Sequence, residues 1–321
     1  MSTQFATLGD EIGTPALLPA ARPASPPADS PLRVFLRQFA ESRLALVGAL
    51  VLLLLVASAA FAPVLAPQNP YDLAQLDILD GRLPPGSPSA DAASGRIYLL
   101  GTDEQGRDML SAMLYGLRIS LGIGIVATLA ALSIGSTLGL LAAYAGGRLD
   151  AFLMRVVDIQ LSFPAILLAL VLITVLKPGV GNVALALVAV QWAYYARTVR
   201  AAALIERRKE YVEAAHGLGL SGARIVFRHL LPNCLPPVIV VAALQVANAI
   251  SLEATLSFLG IGVPITEPSL GLMIANGQQY LLAGKYWMSL YPGLMLLATI
   301  LAINLVADQL RDVLNPRLQK Q

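Results

Sequence analysis

The chain has 321 residues, 56% of them hydrophobic and 13% charged, with a mean hydropathy of +0.69. A soluble fold has no interior large enough to hide that much apolar surface, so the composition excludes a soluble domain and demands membrane segments. The net charge of +2 says little as a total, and no nucleic-acid partner is expected; the single cysteine, Cys234, excludes an internal disulfide framework and a cysteine-based metal cluster.

Residues 1–31 are rich in Ala, Pro, Ser and Thr without helical periodicity and read as a disordered tail. Arg33, Arg37 and Arg43 then lead into the uncharged stretch Leu44 to Leu65, so 32–66 reads as an N-terminal segment carrying the first transmembrane helix. Ala60-Phe61-Ala62 resembles a signal-peptidase site, but the polar lead of more than forty residues is too long for a signal-peptide n-region, and a retained anchor is expected. Residues 67–118, with Asp72, Asp77, Asp80 and Asp91, read as an extracytoplasmic loop. Within it Thr102 and Gln105 have capping-box spacing, which predicts an amphipathic helix through Met109, Met113 and Leu114 lying at the membrane interface. The neighbouring acids Asp103, Glu104 and Asp108 lack the strict loop spacing of a calcium site.

The remaining spans follow in order. Ile119 to Ala145 contains Gly135-xxx-Gly139, the close-packing spacing of membrane helices, and ends at Gly146-Gly147. Span three is predicted from about Ile159 to Val175, with Pro164 near its start, and Lys177-Pro178-Gly179 makes a reversal into span four, Val180 to Ala196. Span five runs from about Pro237 to Leu259, a loop passes Pro264, Pro268 and Gly271, and span six runs from about Tyr291 to Ala307. Residues 119–312 thus read as a five-helix core and 313–321 as a short tail. With the amino terminus in the cytoplasm, sixteen of the 22 Lys and Arg fall on the inner side, seven of them between Arg197 and Arg228. The positive-inside rule therefore puts both termini and the stretch 206–233 in the cytoplasm.

That stretch, ERRKEYVEAAHGLGLSGARIVFRHLLPN, is the longest charged segment of the chain. Tyr211, Ala214, Ala215 and Leu218 recur at helical spacing and form a small apolar ridge suited to a partner's groove. Gly217 and Gly219 are predicted to stop this helix, Ser221 to cap a second one from Gly222 to Leu231, and Pro232 to close it. His216 and His229, thirteen residues apart, read as surface or interface side chains, and no metal site is expected. Glu253 is the one acid well inside a predicted span; it either lines a path, pairs across a subunit interface or locks helices, with Gln245, Asn248 and Thr255 as polar neighbours on its own helix. Gly284-Lys285 is the one Gly-Lys pair, and Gln279 stands where a phosphate-cradling loop needs glycine, so no nucleotide site is present; if ATP drives this protein, another chain binds it.

Glu213-Ala214-Ala215, Gly219 and Leu231-Pro232 reproduce the EAA pattern of ATP-binding-cassette importer permeases, with His229 where that pattern usually has Ile. Leu100 to Leu121, Asp158 to Pro164, Tyr195 to Arg200, Glu210 to Asn233, Glu253 to Gly262 and Asp308 to Arg317 resemble the C-type permease subunit of dipeptide and oligopeptide importers. The resemblance implies an all-α integral membrane protein with the six transmembrane helices of the type I ABC importer permease fold and both termini cytoplasmic, in the bacterial inner membrane. It implies a non-catalytic transport subunit without a cofactor, whose coupling helices, through Tyr211, Glu213, Ala214, Ala215, Leu218, Gly219, Leu231 and Pro232, meet cytoplasmic ATPases. The implied partners are a homologous B-type permease subunit, two ABC ATPase subunits, an extracytoplasmic substrate-binding protein and membrane lipid. Nickel, glutathione or another small peptide-like solute are alternative cargoes. A secondary transporter would need inverted repeats with intramembrane charges, and an intramembrane enzyme a paired nucleophile and base; neither pattern is found.

Overall fold

The computed structural model of the chain describes residues 30–72, 75–90 and 95–314. Asp91, and all but the edges of the tails read at 1–31 and 313–321, lie outside the described residues. Helix α1 (Pro31–Ala40) precedes Ser42, whose hydroxyl accepts the Ala45 N–H at 3.2 Å and so caps α2 (Arg43–Ala60). A single turn, α3 (Ala62–Leu65), leads into an irregular segment with a 3-10 turn at Ile78–Asp80. The same segment carries a minimal antiparallel ladder, β1 (Ser87–Pro88) with β2 (Ile97–Tyr98), Ser87 opposite Tyr98. Then come α4 (Met109–Ala145), α5 (Gly147–Leu161), α6 (Ala165–Leu176) and α7 (Val180–Glu206). The chain continues through α8 (Glu210–Gly217), α9 (Gly222–Ile225), a π-helical turn (Val226–Leu230), α10 (Leu231–Phe258), α11 (Leu270–Gln278) and α12 (Trp287–Leu314).

The bundle is built around α4 and α7. A β-carbon at Gly135 would run into the Trp192 carbonyl and the Tyr195 side chain, and one at Gly139 into the Ala196 carbonyl. The two glycines therefore bring the helices into backbone contact, as their spacing predicts. Gly48 does the same for α2, resting on Leu305 of α12. α10 lies across α4, α7 and α12, and Met109, Leu117, Ile250, Leu270 and Met288 close one core between these elements. A second core of Ile123, Ile173, Leu187 and Leu256 holds α6 and α7 against α4 and α10.

Among the described residues, four helices are long and apolar enough to cross a bilayer, or five if α5 and α6 count as one bent span. α7 is 27 residues long but less apolar, since Asn182, Gln191, Arg197 and Arg200 interrupt it while Val183, Ala186, Val190, Ala193, Ala196 and Val199 are buried in the bundle.

The structure corrects four sequence expectations. Span three is not one helix: α5 and α6 meet at 91° across Ser162-Phe163-Pro164, because Pro164 lacks an amide proton and drives Phe163 out of helical geometry. No separate interfacial helix precedes Ile119, since α4 starts at Met109 and continues without a break. Its cap is Asp108, which accepts from the Ser111 N–H at 2.8 Å, whereas the Thr102 hydroxyl donates to Asp80 O and accepts from Leu83 N. Met109 and Met113 are buried because they meet residues from the far end of the chain. The loop expected before span six contains α11, seated where Gly271 touches the Ala254 backbone and Gly277 that of Met288. Finally, Pro232 does not close a helix, for α10 starts at Leu231 and passes through it.

Valine at Gly139 is predicted to lower the thermal midpoint of the detergent-solubilised protein by roughly 2–5 °C, the shift expected from about 1–3 kcal/mol of overpacking in a chain of this length. Valine at Gly122, where a β-carbon meets open space, serves as the control and leaves the midpoint in place.

Candidate functional site

The segment from the end of α7 to the start of α10 is held at three points. Arg207 donates through Nη1 to the Ala143 and Tyr144 carbonyls at 2.9 and 3.1 Å, capping the last turn of α4, and lies 5.9 Å from the Tyr144 ring centre. Gly222 rests against the hydroxyl end of the Tyr144 ring, where a β-carbon would force the phenol to shift. The Tyr211 hydroxyl then donates to Glu206 Oε2 at 2.8 Å and accepts from Asn233 Nδ2 at 3.2 Å, so one phenol joins α7, α8 and α10. Burial, then the adjacent Glu206 carboxylate, push the Tyr211 hydroxyl up to about 12, and it stays a proton donor throughout the physiological range.

α8 ends in a Schellman corner: Gly219 has φ +69°, its N–H donates to His216 O at 2.9 Å, and Leu220 N–H donates to Ala215 O at 3.2 Å. A left-handed residue is required there, which makes Gly219 the stop; Gly217 is simply the last helical residue. Ser221 occupies the cap position of α9 without a side-chain cap bond.

Val212, Ala215, Ile225, Leu230 and Cys234 turn inward against Leu140, Ala143, Val199 and Ala203. Ala215 thus belongs to the anchoring face and not to the outward ridge. Tyr211, Ala214 and Leu218 stay on the outside, Leu218 at 79% exposure, and Glu213 is exposed beside them. Phe227, missed in the sequence reading, joins them at 63% exposure. Its signal was a phenylalanine between Arg224 and Arg228 in a segment otherwise rich in charge. The outward side of the segment therefore mixes apolar Tyr211, Ala214, Leu218 and Phe227 with exposed Glu210, Glu213, Arg224 and Arg228. In the first turn of α10, Leu231 is half-buried and Pro232 exposed. The π turn makes that possible: Leu231 N–H bonds back five residues to Val226 O, widening the turn that the proline ring enters.

Glu253 is fully buried between α10, α4 and α11. Ser120 Oγ donates to its Oε2 at 2.7 Å, and Ser257 and Ser269 donate to Oε1 at 2.8 Å each. Gln245, Asn248 and Thr255 are not its neighbours but occupy another face of α10. At the opposite end of α4, Asp80 accepts from Ala90 N–H, Ser89 Oγ and Tyr98 OH. Burial alone would push that carboxyl up, yet these donors more than offset it and hold it below the usual carboxylate range. Asp103 is paired with Arg107 at 2.7 Å. Trp287 Nε1–H donates to Thr102 O at 3.3 Å and fixes this segment on α12.

Comparison with known proteins places this architecture. The family described as binding-protein-dependent transport system inner membrane component matches residues 135–320, and the N-terminal TM domain of oligopeptide transport permease C matches residues 30–85. The chain is 38% identical over 287 residues to the dipeptide transport system permease protein DppC of Haemophilus influenzae, covering 88% of this chain and 93% of that one. This chain belongs to that permease family. The permease is also 40% identical to the di/tripeptide transport system permease protein DppC of Pseudomonas aeruginosa over 285 residues, 89% of this chain and 92% of the relative. The Escherichia coli K12 dipeptide permease DppC is 40% identical over 286 residues, 89% and 93% of the two chains. In fold it is similar to the inward-facing MetNI methionine ABC transporter, with a TM-score of 0.53 at 21% identity over 64% of this chain and 98% of that one.

Tyr211→Phe removes the shared hydroxyl, worth about 1 kcal/mol net, and is predicted to speed tryptic cleavage after Arg208 or Lys209 about fivefold in the folded permease. An unchanged cleavage rate would mean that the anchoring face alone holds the segment.

Proposed function

We propose that this permease is the C-type transmembrane subunit of an ATP-driven importer of dipeptides and oligopeptides, crossing the inner membrane six times with both termini in the cytoplasm. The observation that carries this reading is the docking patch: Tyr211, Ala214, Leu218 and Phe227 exposed on a segment braced at three points. A surface that is apolar, ringed by charge and stiffly mounted suits a partner that transmits movement. The relatives are dipeptide permeases by name, and the chain carries no phosphate-binding loop, so two ABC ATPase chains would dock on this patch. A homologous B-type permease would complete the path, and an extracytoplasmic binding protein would deliver cargo at the end carrying Asp80 and Trp287. Closure of the ATPases moves α8 as a rigid body, and its ties through Glu206 to α7 and through Asn233 to α10 carry the motion into the spans. Glu253 acts in this reading as a lock joining α4, α10 and α11 rather than as a cargo contact.

Uptake of labelled dipeptide, longer peptide and nickel in a strain lacking the chain, with and without its restoration, tests the function. Restored peptide uptake that requires the ATPase chains is expected; restored nickel uptake alone would move the cargo and keep the architecture. Gly219→Pro and Glu213→Lys are expected to leave the permease inserted while separating ATP hydrolysis from uptake, and normal transport by either variant would count against α8 as the docking helix. Glu253→Leu leaves three buried hydroxyls without an acceptor, at about 1–3 kcal/mol for each unsatisfied group, and is predicted to reduce the folded yield severely, with Glu253→Gln milder. A Glu253→Leu permease that folds normally and fails in uptake alone would contradict the lock.

A further inference from the structure

Along the seam between α7 and α10, Gln191 Nε2 donates to the Gln245 carbonyl at 3.0 Å, and Gln191 Oε1 accepts from the Thr128 hydroxyl at 3.4 Å. The open side of this seam holds a cavity of about 360 Å³ whose polar wall is Gln191, Tyr194, Gln245, Asn248, Ser251 and Thr255. Ser251 and Thr255 return their hydroxyls to the carbonyls of Ala247 and Ser251. Gln245 and Asn248 are different: their side-chain amides bond to each other at 2.7 Å, and this uses one group from each. Reversing both amides gives the same bond with roles exchanged, so in either assignment one amide NH₂ and one amide oxygen stay unengaged at the cavity wall.

These side chains stand well inside the long apolar stretch of α10, and Asn248 and Thr255 are exposed on the surface of the chain. Lipid tails offer no hydrogen bond, so such a row faces water or another protein surface. Among the described residues the cavity wall contains no carboxylate, imidazole, thiol, ammonium or guanidinium group. A transition-metal dication calls for ligands of the first three kinds. A peptide backbone calls for a donor beside an acceptor, which is what the Gln245–Asn248 pair presents. An uncharged wall also admits side chains of either charge and releases what it binds.

We propose that this row lines the cargo path and that the Gln245–Asn248 pair hydrogen-bonds the backbone amide groups of the passing peptide. The inference rests on the peptide-importer reading and adds to it the residues that meet the cargo.

The test uses the complete transporter, with uptake normalised to the amount assembled. Asn248→Leu lowers uptake of neutral, cationic and anionic dipeptides alike, by about fivefold. Asn248→Asp instead separates the cargoes, favouring a lysine-containing over an aspartate-containing dipeptide by about tenfold, a bias absent from the parent. Equal effects of Asn248→Asp on both charged cargoes would overturn the proposal. Ser251→Cys gives a second readout that does not depend on transport, because Cys234, the one natural cysteine, is fully buried. A charged, membrane-impermeant thiol reagent labels Ser251→Cys, and saturating dipeptide slows the labelling. No labelling in either the ATP-bound or the nucleotide-free transporter would place the row against lipid or a partner helix and overturn the proposal. A parent transporter that carries no dipeptide while Ser251→Cys still labels would refute the peptide reading instead.

Discussion

α4 and α7 touch backbone to backbone because Gly135 and Gly139 present no β-carbon, and the rest of the bundle is placed by that contact. Between helices in lipid there is no hydrophobic drive to associate, so close packing and polar ties must supply the cohesion. The contact fixes α7 at the centre of the molecule. From there Arg200 donates through Nε and Nη2 to the two carboxylate oxygens of Asp150 at 2.5 and 2.6 Å, and Arg197 pairs with Asp158, laying α5 back along α7. Two turns further on, Arg207 reaches across to the final carbonyls of α4. The same helix pair that forms the core therefore sets where the segment carrying α8 leaves the bundle.

The segment from α8 to the start of α10 divides its residues between two faces at helical spacing. Val212 and Ala215 bury one side of α8, and Ile225, Leu230 and Cys234 continue that anchor through the π turn into α10. Tyr211, Ala214 and Leu218 occupy the other side. Tyr211 has a part in both, its ring half-exposed at the patch and its hydroxyl tied inward to Glu206 and Asn233. Its hydroxyl thereby ties α8 to the ends of two long helices, α7 and α10.

Composition and glycine placement made much of this legible in advance. The apolar stretches predicted at 44–65, 119–145 and 237–259 fall largely within α2, α4 and α10, and Gly219 was readable as a stop because a left-handed corner favours glycine. What escaped reading was set by residues distant in the chain. α4 starts ten residues before Ile119 because Met109 and Met113 meet Leu270 and Met288 from the far end of the chain. The donors to Glu253 come partly from Ser120 and Ser269, on α4 and ahead of α11, while the polar residues of its own helix face elsewhere. Pro164 was visible, yet the 91° bend behind it depends on how α6 packs beneath α7. Pro232 was read as a terminator because proline usually is one, and nothing local announced the widened turn that admits it.

That widened turn, Val226–Leu230, has a consequence for how this corner can change over evolutionary time. It holds one residue more than an α-helical path between α9 and α10 would need. Deleting that residue would restore regular winding and rotate α9, with the Schellman corner before it, by about 100° around the axis of α10. Ile225, now sealed inside, would swing toward solvent, and exposed Phe227 would leave the patch. Substitution at individual positions here alters one contact at a time, but a change of length reorients every contact together.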